Sequence, residues 1–421
     1  MRALAGLASR SLWNRRGTAA LSVFSIAVSV ALLLGVLHLR DDARRSFAST
    51  VSGADLVVGS RSSPVSLLLY TVFRIGDATG PVSMEIVERV ARHPDVAWVL
   101  PLSLGDSHRG YRVLGTVPGY FEHWHYGRGH RLEFARGGPF ADLYDAVIGA
   151  EVAERLGYRL GDPIVLAHGL GEVSFATHAD KPFRIAGILA RTGTPVDRTV
   201  HVSLEGLEAM HVDWHSGAPP PPGARTTAED ARRADLAPSR VTAFVVGMRS
   251  RGAVFMMQRA LEDYRGEPLT AVIPGVALTE LWQLLGAAEG ALLAIAACVV
   301  VAGLLGMLSA ILTSLGERRR EMAILRSVGA RPTDVFLLLV LEAGLLALAG
   351  AILGVGLMYG ARAAAGPWLE RRFGVAMELG GLTPYDLALL AGVVLAALLA
   401  GAWPARLAYR RALIDGLSIR L

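Results

Sequence analysis

The chain has 421 residues, 52% of them hydrophobic and 19% charged, with a mean hydropathy of +0.41. That is too apolar for a water-soluble protein of this length, and the apolar residues come in blocks. The formal charge is +5, and Lys181 is the only lysine, so the positive charge is almost all arginine. These arginines flank the apolar blocks, which favours orientation in a membrane over nucleic-acid binding.

The first block runs from Thr18 to Leu39, after a segment 1–17 that carries Arg2, Arg10, Arg15 and Arg16. It is longer than a signal-peptide core of roughly 7–15 residues. Arg40-Asp-Asp follows it in place of a small-residue cleavage site, so it reads as a retained helix. A long polar region, 40–286, comes next. It is large enough for one or two domains. Short β-like runs appear in it at Ala54–Gly59, Val96–Leu100, Tyr111–Gly115, Asp162–Leu166, Phe183–Leu189, Thr199–Val202 and Val241–Gly247. Helical patterns appear at Ser83–His93, Ala150–Leu156 and Ala253–Tyr264. The apolar run Val65–Phe73 is too short to span a bilayer and reads as a buried helix. Gly217–Gly223 is a proline-rich break, and the polar stretch Arg225–Asp235 reads as a surface excursion or disorder.

Three more blocks follow, each long enough to span a bilayer, which takes about 20 residues. They cover 287–315, 335–361 and 385–403, the last ending at Pro404. The connecting segments are 316–334, the short loop 362–384 and the C-terminal piece 404–421. Arginines concentrate before the first block, between the second and third, and after the fourth, so those three segments belong on the cytoplasmic side. The expected fold is an integral membrane α-helical protein of four transmembrane helices, with a large extracytoplasmic mixed α/β domain between helices one and two. Cys298 stands alone, so no intrachain disulfide forms.

The most telling stretch is Glu317-Arg-Arg-Arg-Glu-Met-Ala-Ile-Leu-Arg-Ser-Val-Gly-Ala-Arg-Pro332. A plain topology anchor needs only a few arginines. Here Met322, Ala323, Leu325 and Val328 alternate with charges, as in a helix that docks a cytoplasmic partner. The only lysine lies in Ala179-Asp-Lys-Pro, so these residues hold no phosphate-gripping loop of the G-x-x-x-x-G-K-[ST] type. ATP hydrolysis is therefore expected from another chain. No G-x-S-x-G or H-E-x-x-H constellation points to catalysis either.

The same stretch, 317–332, resembles the signature of FtsX/MacB-type ABC transporter permeases, also called type VII or mechanotransmission permeases. Trp403-Pro-Ala-Arg-Leu-Ala-Tyr-Arg-Arg-Ala-Leu-Ile-Asp-Gly-Leu417 is similar to that family's ending, with Asp415-Gly416 where Asp-Pro is common. Val147-Ile-Gly-Ala-Glu-Val-Ala-Glu-Arg-Leu-Gly-Tyr-Arg-Leu-Gly-Asp162 resembles the MacB-like periplasmic core domain. The resemblance implies a permease dimer, a second copy or a paralogue, with cytoplasmic ATPase subunits that carry ATP and Mg²⁺. It implies ATPase coupling through Glu317, Arg318, Arg319, Arg320, Glu321, Leu325, Arg326 and Gly329. A periplasmic or outer-membrane partner and membrane lipid complete the expected contacts, and nucleic acid is excluded. MacB fuses its ATPase at the N-terminus. This chain shows no such domain, so the resemblance implies a separate subunit. The plasma (inner) membrane is the expected location.

Within the third block, Glu342 is a lone carboxylate. Such a group faces protein or an aqueous cavity, or snorkels to the interface. Gly350, Gly354, Gly356 and Gly360 form two G-x-x-x-G pairs that suit either a permease–permease contact or packing inside one protomer. Ten of the eleven histidines lie between residues 40 and 286. His123, His125 and His130 form the densest group. His211 and His215 share a face if that segment is helical. Hydrogen-bonded histidines are the favoured reading and a Zn²⁺ site the minor one, since spacing assembles no complete ligand set. Two functions compete: an ABC permease that extracts or exports an envelope substrate (lipoprotein, peptide or metal-linked cargo), and a transducer that transports nothing and activates an extracytoplasmic enzyme.

Overall fold

The computed structural model describes residues 6, 11–13, 15–50, 52–127, 129–168, 178, 180–214, 226–317, 327, 329–373 and 380–414. The chain divides into two compact units. One is helical (1–42, 286–369 and 377–421); the other is mixed α/β (43–285 and 370–376).

After helix α1 (Arg16–Thr50), the α/β unit runs β1 (Leu56–Ser60), α2 (Pro64–Thr71), α3 (Met84–Ala91), β2 (Val96–His108), β3 (Tyr111–Thr116) and α4 (Tyr120–His123). It continues with β4 (Phe134–Gly137), β5 (Asp145–Ile148), α5 (Ala150–Leu156), β6 (Phe183–Leu189), β7 (Thr199–Ser203), α6 (Leu204–His211) and α7 (Ala228–Ala231). It closes with β8 (Ala243–Met248), α8 (Val254–Glu262) and β9 (Leu269–Val272). The strands join in the order β9-β1-β8-β2-β3-β7-β5-β6-β4. Two pairs are parallel, β3 with β7 and β5 with β6.

One strand ties the two ends of this sheet together. β2 is 13 residues long. Its first half pairs with β8, from Val96 opposite Met248 to Leu102 opposite Ala243. Its second half pairs with β3, and a register shift between Leu104 and Ser107 bends it there.

Alternation along the strands divides the core. Leu56 and Val58 of β1 pack with Ile86, Val87 and Val90 of α3 and Met257 and Leu261 of α8. Val57, between them, faces Leu67 and Leu68 of α2, Tyr120 and Trp124. Each such aliphatic side chain contributes roughly 1.5–3 kcal/mol when fully buried. A third cluster joins Val113, Ile148, Ile185, Val200 and Val202 to Leu207 and Met210 of α6.

Local signals account for several helices. The Ser63 hydroxyl caps α2 by accepting from Ser66 N–H, with proline in the first turn. This helix is the apolar run at 65–73, and Val65, Leu67, Leu68 and Tyr70 are buried in it. α5 ends on Gly157 at φ +70°, a left-handed position suited to glycine. Gly149 just before α5 must stay small, because a Cβ there would lie 2.3 Å from the Val196 carbonyl oxygen.

The described part of the stretch 225–235 is a mostly exposed surface segment with local order. It contains α7, capped by Thr227, and Arg232 forms a two-pronged ion pair with Asp142 at 2.6–2.7 Å. Ala231 packs into the same core as α6, which is why this polar segment orders locally. Residues 215–225 lie outside the described residues.

The helical unit holds most of α1, of α9 (Pro274–Glu317) and of α10 (Pro332–Phe373), and α11 (Pro384–Ile414). All four helices are long and apolar enough to cross a membrane. Each extends past the apolar block that marks it, because helical hydrogen bonding continues into polar flanks. α11 also runs through Pro404, where the sequence reading ended it. An inserted proline costs one hydrogen bond and tends to kink a helix without necessarily stopping it. Ile26, Val30 and Leu34 of α1, Met307 and Ile311 of α9, Ala343 and Ala347 of α10, and Val393 and Ala397 of α11 form one core. Ser29 Oγ donates to the Val299 carbonyl at 3.0 Å, a polar link between α1 and α9.

Candidate functional site

α9 is described as far as Glu317, the first residue of the arginine-rich stretch. Arg318, Arg319, Arg320, Glu321, Leu325 and Arg326 lie outside the described residues. What is described is the way out of the stretch. Gly329 takes φ +99°, a conformation that a side chain resists. Pro332 then opens α10, and the Asp334 carboxylate accepts the Arg331 N–H at 2.8 Å.

The two G-x-x-x-G pairs of α10 have different surroundings. A Cβ on Gly350 would sit 2.7 Å from Ile26 Cβ, and one on Gly354 2.7 Å from the Ala27 carbonyl oxygen. The first pair therefore seats α10 against α1 of the same chain. At Gly356 and Gly360 an added Cβ would meet nothing within 4 Å. Glu342 is buried within the helical unit, at 4% exposure. It lines a small cavity of about 30 Å³ with Ser11, Arg15, Thr18 and Ser22.

Two polar contacts in this unit join residues the sequence leaves unpaired. Arg362 Nη2 lies 2.8 Å from Asp42 Oδ2, with both side chains almost fully buried. His38 Nε2 lies 3.1 Å from Asp386 Oδ2, and Asp386 also accepts the Thr383 N–H and hydroxyl. The available signal was a charged residue beside an apolar block. Partner choice, across about 320 and 350 residues, had none.

The histidines are engaged locally. His123 stacks flat on Trp98, centroids 5.3 Å apart at 8°. His125 Nδ1 donates to the His123 carbonyl at 2.7 Å. His130 lies beside Tyr126 on the opposite strand of a short ribbon. His211 is the last residue of α6, so the helical i,i+4 pairing with His215 is not formed, and His215 lies outside the described residues. His211 packs edge-on against His178, centroids 5.1 Å apart. Among the described residues no three His, Cys, Asp or Glu side chains are grouped to hold a metal ion. Lys181 is completely buried, with its ammonium 3.1 Å from Asp213, as a structural ion pair.

Comparison with known proteins matches two family models. Residues 19–260 match the MacB-like periplasmic core domain, and residues 293–413 match the FtsX-like permease C-terminal domain. The chain is 23% identical to the pyoverdine export ATP-binding/permease protein PvdT of Pseudomonas syringae pv. syringae (strain B728a), over 95% of this chain and 57% of that protein. It is also 23% identical to the macrolide export ATP-binding/permease protein MacB of Azoarcus sp. (strain BH72), over 85% of this chain and 51% of that one. The chain thus spans a little over half the length of these relatives. Among solved structures, the periplasmic region of MacB from Actinobacillus actinomycetemcomitans is similar over 54% of this chain and 93% of that one, with 10% identity and a TM-score of 0.32. On the strength of the two family matches, the chain belongs to the FtsX/MacB-type ABC transporter permeases, with a MacB-like periplasmic core domain ahead of an FtsX-like permease domain.

Proposed function

We propose that this chain is the permease part of a dimeric ABC system that works on a substrate at the outer face of the membrane. A cytoplasmic ATPase subunit binds ATP with Mg²⁺ and grips the arginine-rich segment 316–334. Closure of the ATPase shifts the helix bundle, and the α/β domain between the first and second spans moves in turn. That movement extracts or exports an envelope substrate: a lipoprotein, a peptide or a metal-linked cargo. Both termini lie in the cytoplasm, because the arginine-rich segments beside the spans then share one side.

The observation that carries this reading is the pairing, in one chain, of a MacB-like core domain, an FtsX-like domain and four candidate spans. Helix length supports it. α1 has 35 residues and α9 has 44. At about 1.5 Å per residue, both exceed the roughly 30 Å hydrocarbon layer. An unbroken helix of that length is suited to carry displacement out of the membrane. The relatives are named as exporters, which favours transport over pure signalling.

The test is affinity capture of the detergent-solubilised protein from its native membrane, with mass spectrometry of its companions. A P-loop ATPase is expected, and replacing Arg318, Arg319 and Arg320 together with Ala should remove it or uncouple its hydrolysis while folding is retained. Absence of any ATPase after crosslinking overturns the reading. Recovery of an outer-face hydrolase with no cargo points to the transducer.

A further inference from the structure

A cavity of about 440 Å³ lies in the α/β unit. That volume is in the range of small-ligand sites. The end of α1, the turn after α2, the β2–β3 turn and the loop from Arg191 to Arg198 enclose it. Phe47, Phe73 and Ile75 give it an apolar wall. Phe47 stacks on Phe73 with centroids 4.6 Å apart and meets Trp282 edge-on at 5.7 Å.

Four arginines line this space, against two carboxylates. Three of the arginines are already matched. Arg112 holds Asp77 at 3.0 Å and the Gly76 carbonyl at 2.6 Å. Arg191 pairs with Glu154, and Arg198 lies 3.5 Å from Glu151. Asp197 is occupied by the N–H groups of Thr192 and Gly193.

Arg74 differs from the other three. Among the described residues it makes no ion pair. It donates to the Thr71 carbonyl and, at 3.4 Å, to the Tyr120 hydroxyl, and it lies 6.0 Å from the Trp124 ring. Its Nε is buried with no acceptor. Thr71 Oγ1, Trp124 Nε1 and His201 Nε2, on residues that touch Arg74 or ring-stack with its neighbour Tyr120, are also buried without a partner. The Arg74 backbone sits at φ +60°, which a non-glycine residue rarely adopts. Burial draws its pKa below the usual guanidinium range, and the nearby Arg112 charge acts in the same direction. A desolvated cation with no counter-charge is costly, and backbone strain that persists beside a cavity is characteristic of binding sites.

We propose that this cavity binds an anionic amphiphile, with Arg74 taking its phosphate or carboxylate group and Phe47, Phe73 and Ile75 holding its apolar body. The charge favours an acid group, and the aromatic wall opposite favours an attached hydrocarbon over a free ion. The proposal stands whether or not the chain couples to an ATPase. The source of the acid is either a lipid headgroup or a soluble apolar acid.

The experiment uses the full chain in nanodiscs of neutral phosphatidylcholine, titrated with octyl phosphate and separately with inorganic phosphate. Wild type should bind octyl phosphate saturably, one per chain, and inorganic phosphate about tenfold more weakly. Arg74→Met, which keeps length and removes charge, should weaken octyl phosphate binding by about tenfold or more. Ile75→Glu should do the same by placing a negative charge at the mouth. Ile75 is 55% exposed, so this variant leaves the core intact and keeps the test valid if Arg74→Met misfolds. Native mass spectrometry of protein from phosphatidylglycerol-containing membranes identifies the source. One retained phosphatidylglycerol, lost in both variants, supports the headgroup; octyl phosphate binding without retained lipid supports a soluble acid. If wild type binds neither anion saturably, or if folded Ile75→Glu binds as wild type does, the proposal is overturned.

Discussion

In the helical unit Arg362 meets Asp42 at 2.8 Å, and neither side chain reaches solvent to any extent. In the α/β unit Arg74 lines a cavity and makes no ion pair among the described residues. Arg362 is buried and Arg74 partly so, yet one is neutralised by its own chain and the other is left with a carbonyl, a phenol and an indole face. Where the protein supplies both charges, the pair fixes helix against helix. Where it supplies only one, beside a cavity, the second charge is a matter for a ligand. Burial of charge therefore separates a structural contact from a candidate binding site only once partners are counted.

The sharpest way to break this comparison is to remove one half of the pair. Arg362→Ala takes the guanidinium away from the buried Asp42 carboxylate and should cost up to about 3–5 kcal/mol. Thermal unfolding in detergent should show a large fall in midpoint, and the double variant with Asp42→Asn should recover much of it. Equal loss in single and double variants would show that the pair is packing alone.

A second test probes the polar cluster behind Arg74. His201 is fully buried, and burial, with the Arg74 charge adding to it, pulls its pKa down to about 3. Unfolded, it titrates near 6.5. Between those values the unfolded chain binds a proton that the native one does not. Stability therefore falls as pH drops from about 6.5 toward 3 and is fully present above 6.5. The loss should reach a few kcal/mol at the acid end, as an upper bound. His201→Leu should flatten this part of the pH–stability curve; an unchanged slope would mean that the imidazole is hydrated in the native state.

The smallest effect contrasts two faces of α10. Gly354→Val should overpack the contact with Ala27 and Val30, at about 1–3 kcal/mol. Gly356→Ala meets open space in this chain and should gain a few tenths to about 1 kcal/mol as a single chain. Crosslinking of the assembled permease then sharpens the result: if Gly356→Ala disrupts a dimer, the second glycine pair is the contact between copies.

Much of the architecture was legible because it depends on local properties. Four apolar blocks predicted four long helices, since block length and composition alone decide whether a segment can span a bilayer. Ala150–Leu156 and Phe183–Leu189 were read with their observed ends, the first because Gly149 and Gly157 bound it and the second because Pro182 precedes it. Strands β4, β5 and β9 went unread: at four residues each they are too short for alternation to stand out, and their neighbours in the sheet make them strands. The extension of β2 to His108 was missed for the same reason, since pairing with β3 creates it. α6 went unread as well, since nothing in its eight residues set it apart from the polar region around it.

The sequence by itself determined the membrane blocks, the arginine-rich segments, the family signature and the mixed α/β character of the long region between blocks. These follow from composition and short-range periodicity, which act within a few residues. Only the tertiary structure decided which glycine pair packs on α1, which acid meets Arg362, and that Phe47, Arg74, Arg112 and Arg198 share one cavity. Those residues lie tens to hundreds of positions apart. Their meeting depends on sheet order and helix packing, which a residue's sequence neighbours do not encode.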